Sequence, residues 1–195
     1  MASPPEPSKA PDRATEGAGT QTTDTSCAPL VDALRLRLTR LAARITALSP
    51  EQYTAAGARA SSIGAHWRHT LDVPEAIVSG AARGLIDYEA RARGTPCEHH
   101  VEASLRRLER IDAGLRQLAD LRTATPITIV TQITPERAPA RLRSCLGREL
   151  ANALSHTVHH AALIKLRAGD LGPPDDELDM APGTVAFRRE QGGAA

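Results

Sequence analysis

The sequence predicts an all-α fold, a four-helix bundle with a disordered segment before it and an irregular segment after it. Two observations lead to this prediction. Apolar residues recur at steps of three and four in four segments of about 20–30 residues, and only one short run is rich in β-branched residues. The chain has 195 residues and no internal repeat, so we expect one domain over 27–190.

A disordered tail is predicted for residues 1–26, which contain four Pro and no Val, Ile, Leu or aromatic residue. Such a segment cannot bury enough apolar surface to offset the entropy of ordering. A first helix is expected at about 29–48, before Ser49 and Pro50. Its apolar stripe consists of Leu30, Leu34, Leu38, Leu41, Ile45 and Leu48.

The second helix is expected at about 62–82. Ser62 can serve as its N-cap, Gly84 is a plausible stop, and Pro74 is expected to kink it. A loop rich in charged and turn residues then leads to a third helix at about 98–121.

The sequence of the last part of the chain predicts one extended segment and one more helix. Residues 127–133 read ITIVTQI, which is typical of a short strand or an extended connection. A fourth helix is expected at about 139–168, ending at Gly169. Beyond it, frequent Pro and Gly predict an irregular segment that packs back over the bundle.

The composition disfavours several classes of function. The 24 Lys and Arg residues balance 23 Asp and Glu, and a net charge of +1 argues against a nucleic-acid or anionic-membrane partner. No apolar run reaches the ~18 residues of a membrane helix, and no signal-peptide pattern follows Met1. The odd number of cysteines, three, indicates a reducing compartment. We therefore expect a soluble, cytoplasmic protein.

The seven histidines are the most informative residues, because they fall in three clusters on the second, third and fourth predicted helices. The clusters are His66 and His69, then His99 and His100, then His156, His159 and His160.

On the fourth predicted helix, His156 and His160 are one turn apart and about 40° apart around the axis, so both can point at one ion. Their face is mostly apolar, which indicates that they point into the bundle. The other residues of that face are Leu142, Cys145, Glu149, Ala153 and Leu163. Two buried imidazoles need partners and would repel each other if both were charged, and a divalent cation meets both requirements.

The second predicted helix can supply a third ligand, and the residues alone leave two candidates. His69 shares a face with small residues suited to close packing, whereas His66 lies one turn before it. The small-residue face comprises Ser62, Val73, Ala76 and Gly80. Three imidazoles with open positions are typical of catalytic metal sites. Zn²⁺ is the expected metal, and Fe²⁺ or Ni²⁺ suits the same ligands.

Other motifs are absent or weak. Thr157 follows His156, so the protease motif HExxH is missing. Cys145 would lie about 16 Å from His156 along a helix, too far to share its ion. The segment 97–100, which contains His99 and His100, is interpreted as a solvated turn. Nucleotide-binding glycine motifs and a GxSxG elbow are also absent.

Three segments resemble the DinB/YfiT-like superfamily of putative metalloenzymes. They are SSIGAHWRHTLD with the following GLIDYEARARG, then RELANALSHTVHHAALIKLRAGDLG, then MAPGTV, and the resemblance covers about 30–187. It implies an up-down-down-up four-helix bundle that binds a divalent metal through His69, His156 and His160. It also implies that Asp72 supports His69 from behind, and that His66 or His159 lines the pocket.

The resemblance further implies an enzyme of the thiol S-transferase type, since related proteins use low-molecular-weight thiols. A metal with open positions stabilises a thiolate, the reactive form of a thiol. The alternative is a non-catalytic helical module, with a structural metal or none, that serves in association. A low-molecular-weight thiol is the expected partner, and a homodimer is also considered. The general base is not assigned.

Overall fold

The structure is a computed structural model that describes residues 25–57, 61–169, 175 and 177–192. Six α-helices and three strands form this part of the chain. The helices are α1 (Ala28–Thr46), α2 (Pro50–Thr54), α3 (Ile63–Ala81), α4 (Val101–Leu118), α5 (Leu146–Ala168) and α6 (Pro182–Gly192). The strands are β1 (Leu85–Asp87), β2 (Pro126–Thr131) and β3 (Ala140–Cys145), and a 3-10 turn covers Pro96–Glu98.

The four long helices α1, α3, α4 and α5 pack around one core. α1 contacts α4 and α5, and α3 contacts the same two helices. The stripe predicted for the first helix faces this core, since Leu34, Leu41 and Ile45 are fully buried. The prediction of a mainly helical protein is confirmed. α3 runs without interruption through the buried Pro74.

A small sheet makes the all-α prediction wrong. β1 pairs with β2 in parallel, and β2 pairs with β3 in antiparallel register, with Ile129 opposite Leu142. β2 lies in the run for which a strand or an extended connection was predicted. The sheet also contacts α3 through β1 and α5 through β3.

The fourth long helix begins later than predicted, at Leu146, because residues 140–145 form β3. All six of these residues pair with β2, whose backbone would otherwise lack partners along that edge. Leu142 and Cys145 therefore do not lie on the helix face that carries His156. The cause is a pairing between distant segments, which helical periodicity does not reveal.

The segment after Gly169 is not wholly irregular, as was expected, because it contains α6. This helix begins with Pro182, and proline suits a first helical position because the N–H it lacks would have no acceptor there. Val185 is its buried residue. The frequency of proline was therefore a poor guide to the structure at this end.

Of the predicted tail, residues 1–24 lie outside the described residues. The chain is tied to the loop after α4 from Thr25 onward: the Thr25 carbonyl accepts the N–H of Thr123, and the Cys27 N–H donates to the Leu121 carbonyl, both at 2.8 Å. Within the described segments, no helix combines the length and the apolar character needed to cross a membrane.

Candidate metal site

The histidines of α3 and α5 face each other because these two helices pack together. α3 begins at an N-cap, Ser62, whose hydroxyl accepts the N–H of Ala65 at 3.0 Å. The small residues on one face of α3, among them Ala76 and Gly80, were expected to allow close packing of this helix against another helix. At Gly80 the close neighbour is β1 instead, since a Cβ there would lie 2.2 Å from the Leu85 carbonyl oxygen.

Three imidazoles form one group: His69 of α3 with His156 and His160 of α5. One ring nitrogen from each lies within 4.8 Å of those of the other two. The ring centroids of His156 and His160 are 4.4 Å apart, and that of His69 is 4.9 Å from each. Nitrogens that each lie about 2.1 Å from one ion are closer to one another than 4.8 Å. Small rotations of the rings would therefore bring the three nitrogens around a single ion.

Burial keeps the two α5 histidines neutral. It lowers the pKa of His156 to about 4 and that of His160 to about 3, and the neighbouring histidines lower both further. At neutral pH both rings therefore have a lone pair to offer to a cation.

Two buried nitrogens in this group lack a hydrogen-bond partner in the described part of the chain: Nε2 of His156 and Nδ1 of His160. Buried polar atoms almost always make a hydrogen bond, and leaving one without a partner costs about 1–3 kcal/mol. Neutral imidazole nitrogens are preferred ligands of divalent ions of intermediate softness, such as Zn²⁺. The residues thus fit a metal.

His69 is held from behind by a carboxylate. Its Nδ1 lies 3.5 Å from Oδ2 of Asp72. Asp72 in turn accepts from Arg68 Nη1 at 2.6 Å and from Arg107 Nη2 at 2.9 Å. Burial alone would raise the pKa of Asp72, but its hydrogen bonds with His69 and Arg107 and the charge of Arg68 outweigh burial and lower it. An Nδ1–H directed at this carboxylate leaves Nε2 of His69 available for an ion.

Two further histidines flank the group. The ring centroid of His66 is 5.6 Å from that of His160, and the centroid of His159 is 5.1 Å from it. Neither belongs to the group of three, so of the two candidates that residue reasoning left open, His69 is the one with a ring nitrogen close to those of both His156 and His160. Burial lowers the pKa of His66, and the charge of Arg167 adds to this effect.

The remaining candidates lie elsewhere. His99 and His100 are exposed just before α4, which agrees with the prediction of a solvated turn. Glu149 is fully buried, where it accepts from Tyr88 at 2.6 Å and from Arg148 at 3.0 Å, so it is engaged away from the histidines.

Sequence reasoning missed the two arginines that hold Asp72. The spacing of Arg68 and Asp72 is the i, i+4 spacing of a helical ion pair, so a signal for that contact was present. Arg107 comes from α4, 35 residues along the chain, and no local pattern connects it to Asp72.

Comparison with known proteins adds no relative: no protein-family model, curated protein or solved structure matches this chain. The resemblance to the DinB/YfiT-like superfamily therefore stays a hypothesis that depends on the quoted segments.

Proposed function

We propose that this protein is a DinB-like, divalent-metal-dependent enzyme that acts with a thiol, of the S-transferase type. The observation that carries the proposal is the pair of buried, unpartnered nitrogens on His156 and His160, which face an imidazole, His69, that a carboxylate orients. These three histidines would hold the ion. Zn²⁺ is the metal that three neutral imidazoles favour, and Fe²⁺ or Ni²⁺ would accept the same ligands.

The number of ligands supports a catalytic role over a structural one. Among the residues that the structure describes, no fourth His, Cys, Asp or Glu joins the group of three. Asp72, which contacts His69, is paired with Arg68 and Arg107. Structural zinc sites use four protein ligands, whereas catalytic sites keep a position open.

The site is also accessible. The side chain of His69 is 31% exposed, and His159 lies on the exposed side of α5. A small molecule can therefore approach the group from solvent, with His66 and His159 beside it.

The chemistry divides between the ion and the chain. When bound, a divalent ion supplies Lewis acidity that lowers the pKa of a coordinated thiol. Burial keeps His156 and His160 deprotonated, so their nitrogens are available as ligands at neutral pH. Asp72 keeps the Nδ1 proton of His69 in place and so determines which nitrogen faces the ion.

The finer description of the fold belongs to the same proposal. The contacts of α1, α3, α4 and α5 agree with an up-down-down-up bundle of the DinB type, to which the small sheet is added. A cytoplasmic location, supported by the odd number of cysteines, and a homodimer are likewise proposed.

The experiment that tests the proposal is a Co²⁺ titration of chelator-treated protein followed by thiol addition. We expect one Co²⁺ per chain, a sulfur-to-cobalt charge-transfer band when a thiol is added, and consumption of an electrophile such as chlorodinitrobenzene. The His156→Ala/His160→Ala double variant should lose the ion, and the matched His99→Ala/His100→Ala variant should keep it.

Two results would contradict the proposal. Retention of stoichiometric Co²⁺ by the His156→Ala/His160→Ala variant would show that the ion binds elsewhere. A bound ion that gives no charge-transfer band with any thiol would favour the non-catalytic module with a structural metal.

A further inference from the structure

A cavity of about 140 Å³ lies beside the α3 face that carries Asp72. α3 forms one wall, the segment after β1 forms another, and Arg107 of α4 contributes to the lining. Besides Arg107, the charged residues around it are Asp72, Glu75, Arg83, Asp87 and Arg91, and Ser79 and Tyr88 add hydroxyl groups.

The acidic residues of this cavity already have partners. Arg107 donates to Asp72 at 2.9 Å and, through Nε, to Glu75 at 3.1 Å. Asp87 accepts the backbone N–H of Glu89 and that of Ala90 through Oδ1, at 2.9 and 3.2 Å.

Two cations of the same cavity are not paired. Over residues 25–57, 61–169, 175 and 177–192, the side chain of neither Arg83 nor Arg91 makes an ion pair or a hydrogen bond, and Nε of Arg91 is buried without an acceptor. A buried N–H donor without an acceptor is costly unless a partner binds to it. The cavity therefore offers two unpaired guanidinium groups to an anion.

We infer that this cavity is a subsite for the carboxylate group of a small molecule, bound by Arg91 with Arg83 beside it. A carboxylate matches the planar fork of a guanidinium and can accept two parallel hydrogen bonds. The volume corresponds to roughly four or five waters at about 30 Å³ each, enough for a carboxylate and a short chain. The lining has three arginines and three carboxylates, so its net charge is zero, and a carboxylate leaves less uncompensated charge there than a phosphate dianion.

The position of the cavity connects it to the histidine group. Asp72 lines the cavity and contacts His69, one helical turn away on α3. Tyr88 also lines it and donates to Glu149 of α5, which lies seven residues before His156 and so about 10 Å along the helix.

This placement specifies a substrate class, and that step rests on the proposed function. Because Asp72 both lines the cavity and contacts His69, a small molecule with a thiol at one end and a carboxylate at the other can reach both places. The substrate is then a carboxylate-bearing thiol, and Arg91 determines specificity for it.

The first test needs no metal. Hexanoate, hexanol and inorganic phosphate are titrated separately into the protein while the Nε–H resonances of its arginines are followed by NMR. We expect saturable shifts of the Arg91 resonance with hexanoate and none with hexanol. The Arg91→Gln variant should bind hexanoate about tenfold more weakly or worse. Arg93→Gln, which alters an exposed arginine of the same loop that does not line the cavity, should bind like the original protein.

Several outcomes of this titration would overturn the subsite. They are equal binding of hexanoate and hexanol, unchanged binding by Arg91→Gln, and tighter binding of phosphate than of hexanoate. Because Arg91 is half-buried, the melting temperature of Arg91→Gln is first compared with that of the original protein. Arg83→Gln is a second variant that is expected to weaken hexanoate binding.

The second test addresses the connection to the metal. Mercaptohexanoate and mercaptohexanol are compared as ligands of the Co²⁺-loaded protein through the charge-transfer band. We expect mercaptohexanoate to bind about tenfold more tightly, and this preference to disappear in Arg91→Gln while mercaptohexanol binding is unchanged. Equal affinities would overturn the connection. Failure to bind Co²⁺ would contradict the proposed function, whereas the hexanoate titration would still decide the subsite.

Discussion

Histidine chemistry in this protein depends on which side chains surround each ring. His160 is buried and His156 is half-buried with its Nε2 atom enclosed, His69 is half-buried and touches a carboxylate, and His99 is exposed. Identical side chains thus divide into candidate ligands and solvated residues through burial and partners alone.

Asp72 is the residue whose replacement should affect metal binding most without removing a ligand. Changing Asp72→Asn removes the negative charge that faces Nδ1 of His69, and we expect metal affinity to fall about 10–100-fold. The measurement is a competition titration with a chromophoric chelator. Glu98→Gln is the matched control, because Glu98 pairs with Arg68 at 3.0 Å without touching His69. Equal losses in both variants would mean that the ion network as a whole, rather than Asp72, supports the site.

The stability of the metal-free protein should depend on pH through His156 and His160. Their folded-state pKa values, about 4 and about 3, lie below the ordinary value of 6.5, so the unfolded chain binds more protons below pH 6.5. The folded protein is therefore most stable above pH 6.5, and its free energy of unfolding decreases as the pH falls from 6.5 toward 4, because the unfolded chain gains protons that the folded chain does not.

Urea unfolding at several pH values after chelator treatment measures this dependence. His156→Gln/His160→Gln should show a flatter profile over the same range, whereas His99→Gln/His100→Gln should follow the original protein. A double variant with an unchanged slope would assign the pH dependence to other groups.

At the scale of elements, the contact between α3 and β1 determines how closely α3 packs against the sheet. The close approach of β1 requires a residue without a side chain at position 80, because a Cβ on Gly80 would meet the Leu85 carbonyl oxygen at 2.2 Å and the Ile86 Cα at 2.8 Å. Both neighbours are backbone atoms of a paired strand and have little room to move.

We expect Gly80→Ala to destabilise the protein by about 1–3 kcal/mol, since the clash outweighs the higher helix propensity of alanine. Thermal unfolding followed by circular dichroism measures the change. Gly183→Ala in α6 is the control, because no heavy atom lies within 4 Å of its added Cβ. If Gly80→Ala melted at the temperature of the control, the close packing of α3 against β1 would be wrong.

At the scale of the whole molecule, the N-terminal boundary of the folded part can be located by truncation. The composition of residues 1–24 predicts that their removal changes the melting temperature by a few degrees at most. Removal of residues 1–27 should cost more, because it deletes the buried Cys27 and the main-chain bonds that Thr25 and Cys27 make with the loop after α4. Melting curves of both truncations test this, and equal melting temperatures would contradict it.

Several features of the protein follow from the sequence alone, because they depend on residues close together in the chain. The apolar stripe of α1 and the start of α3 after Ser62 follow from spacings of a few residues. The pairing of His156 with His160 on one face follows from the pitch of a helix. The candidate metal ligands on α5 could therefore be named before the structure was known.

The tertiary structure decided what depends on distant contacts. β3 exists because residues 140–145 pair with β2, and α3 sits close to β1 because Gly80 allows it. Arg107 of α4 supports Asp72, and through Asp72 the orientation of His69. Periodicity describes which face of a segment is apolar, but it contains no information on which other segment covers that face. For this reason the approach of His69 to the α5 histidines, the arginine from α4 that holds Asp72 and the cavity beside them emerged only once the helices were packed.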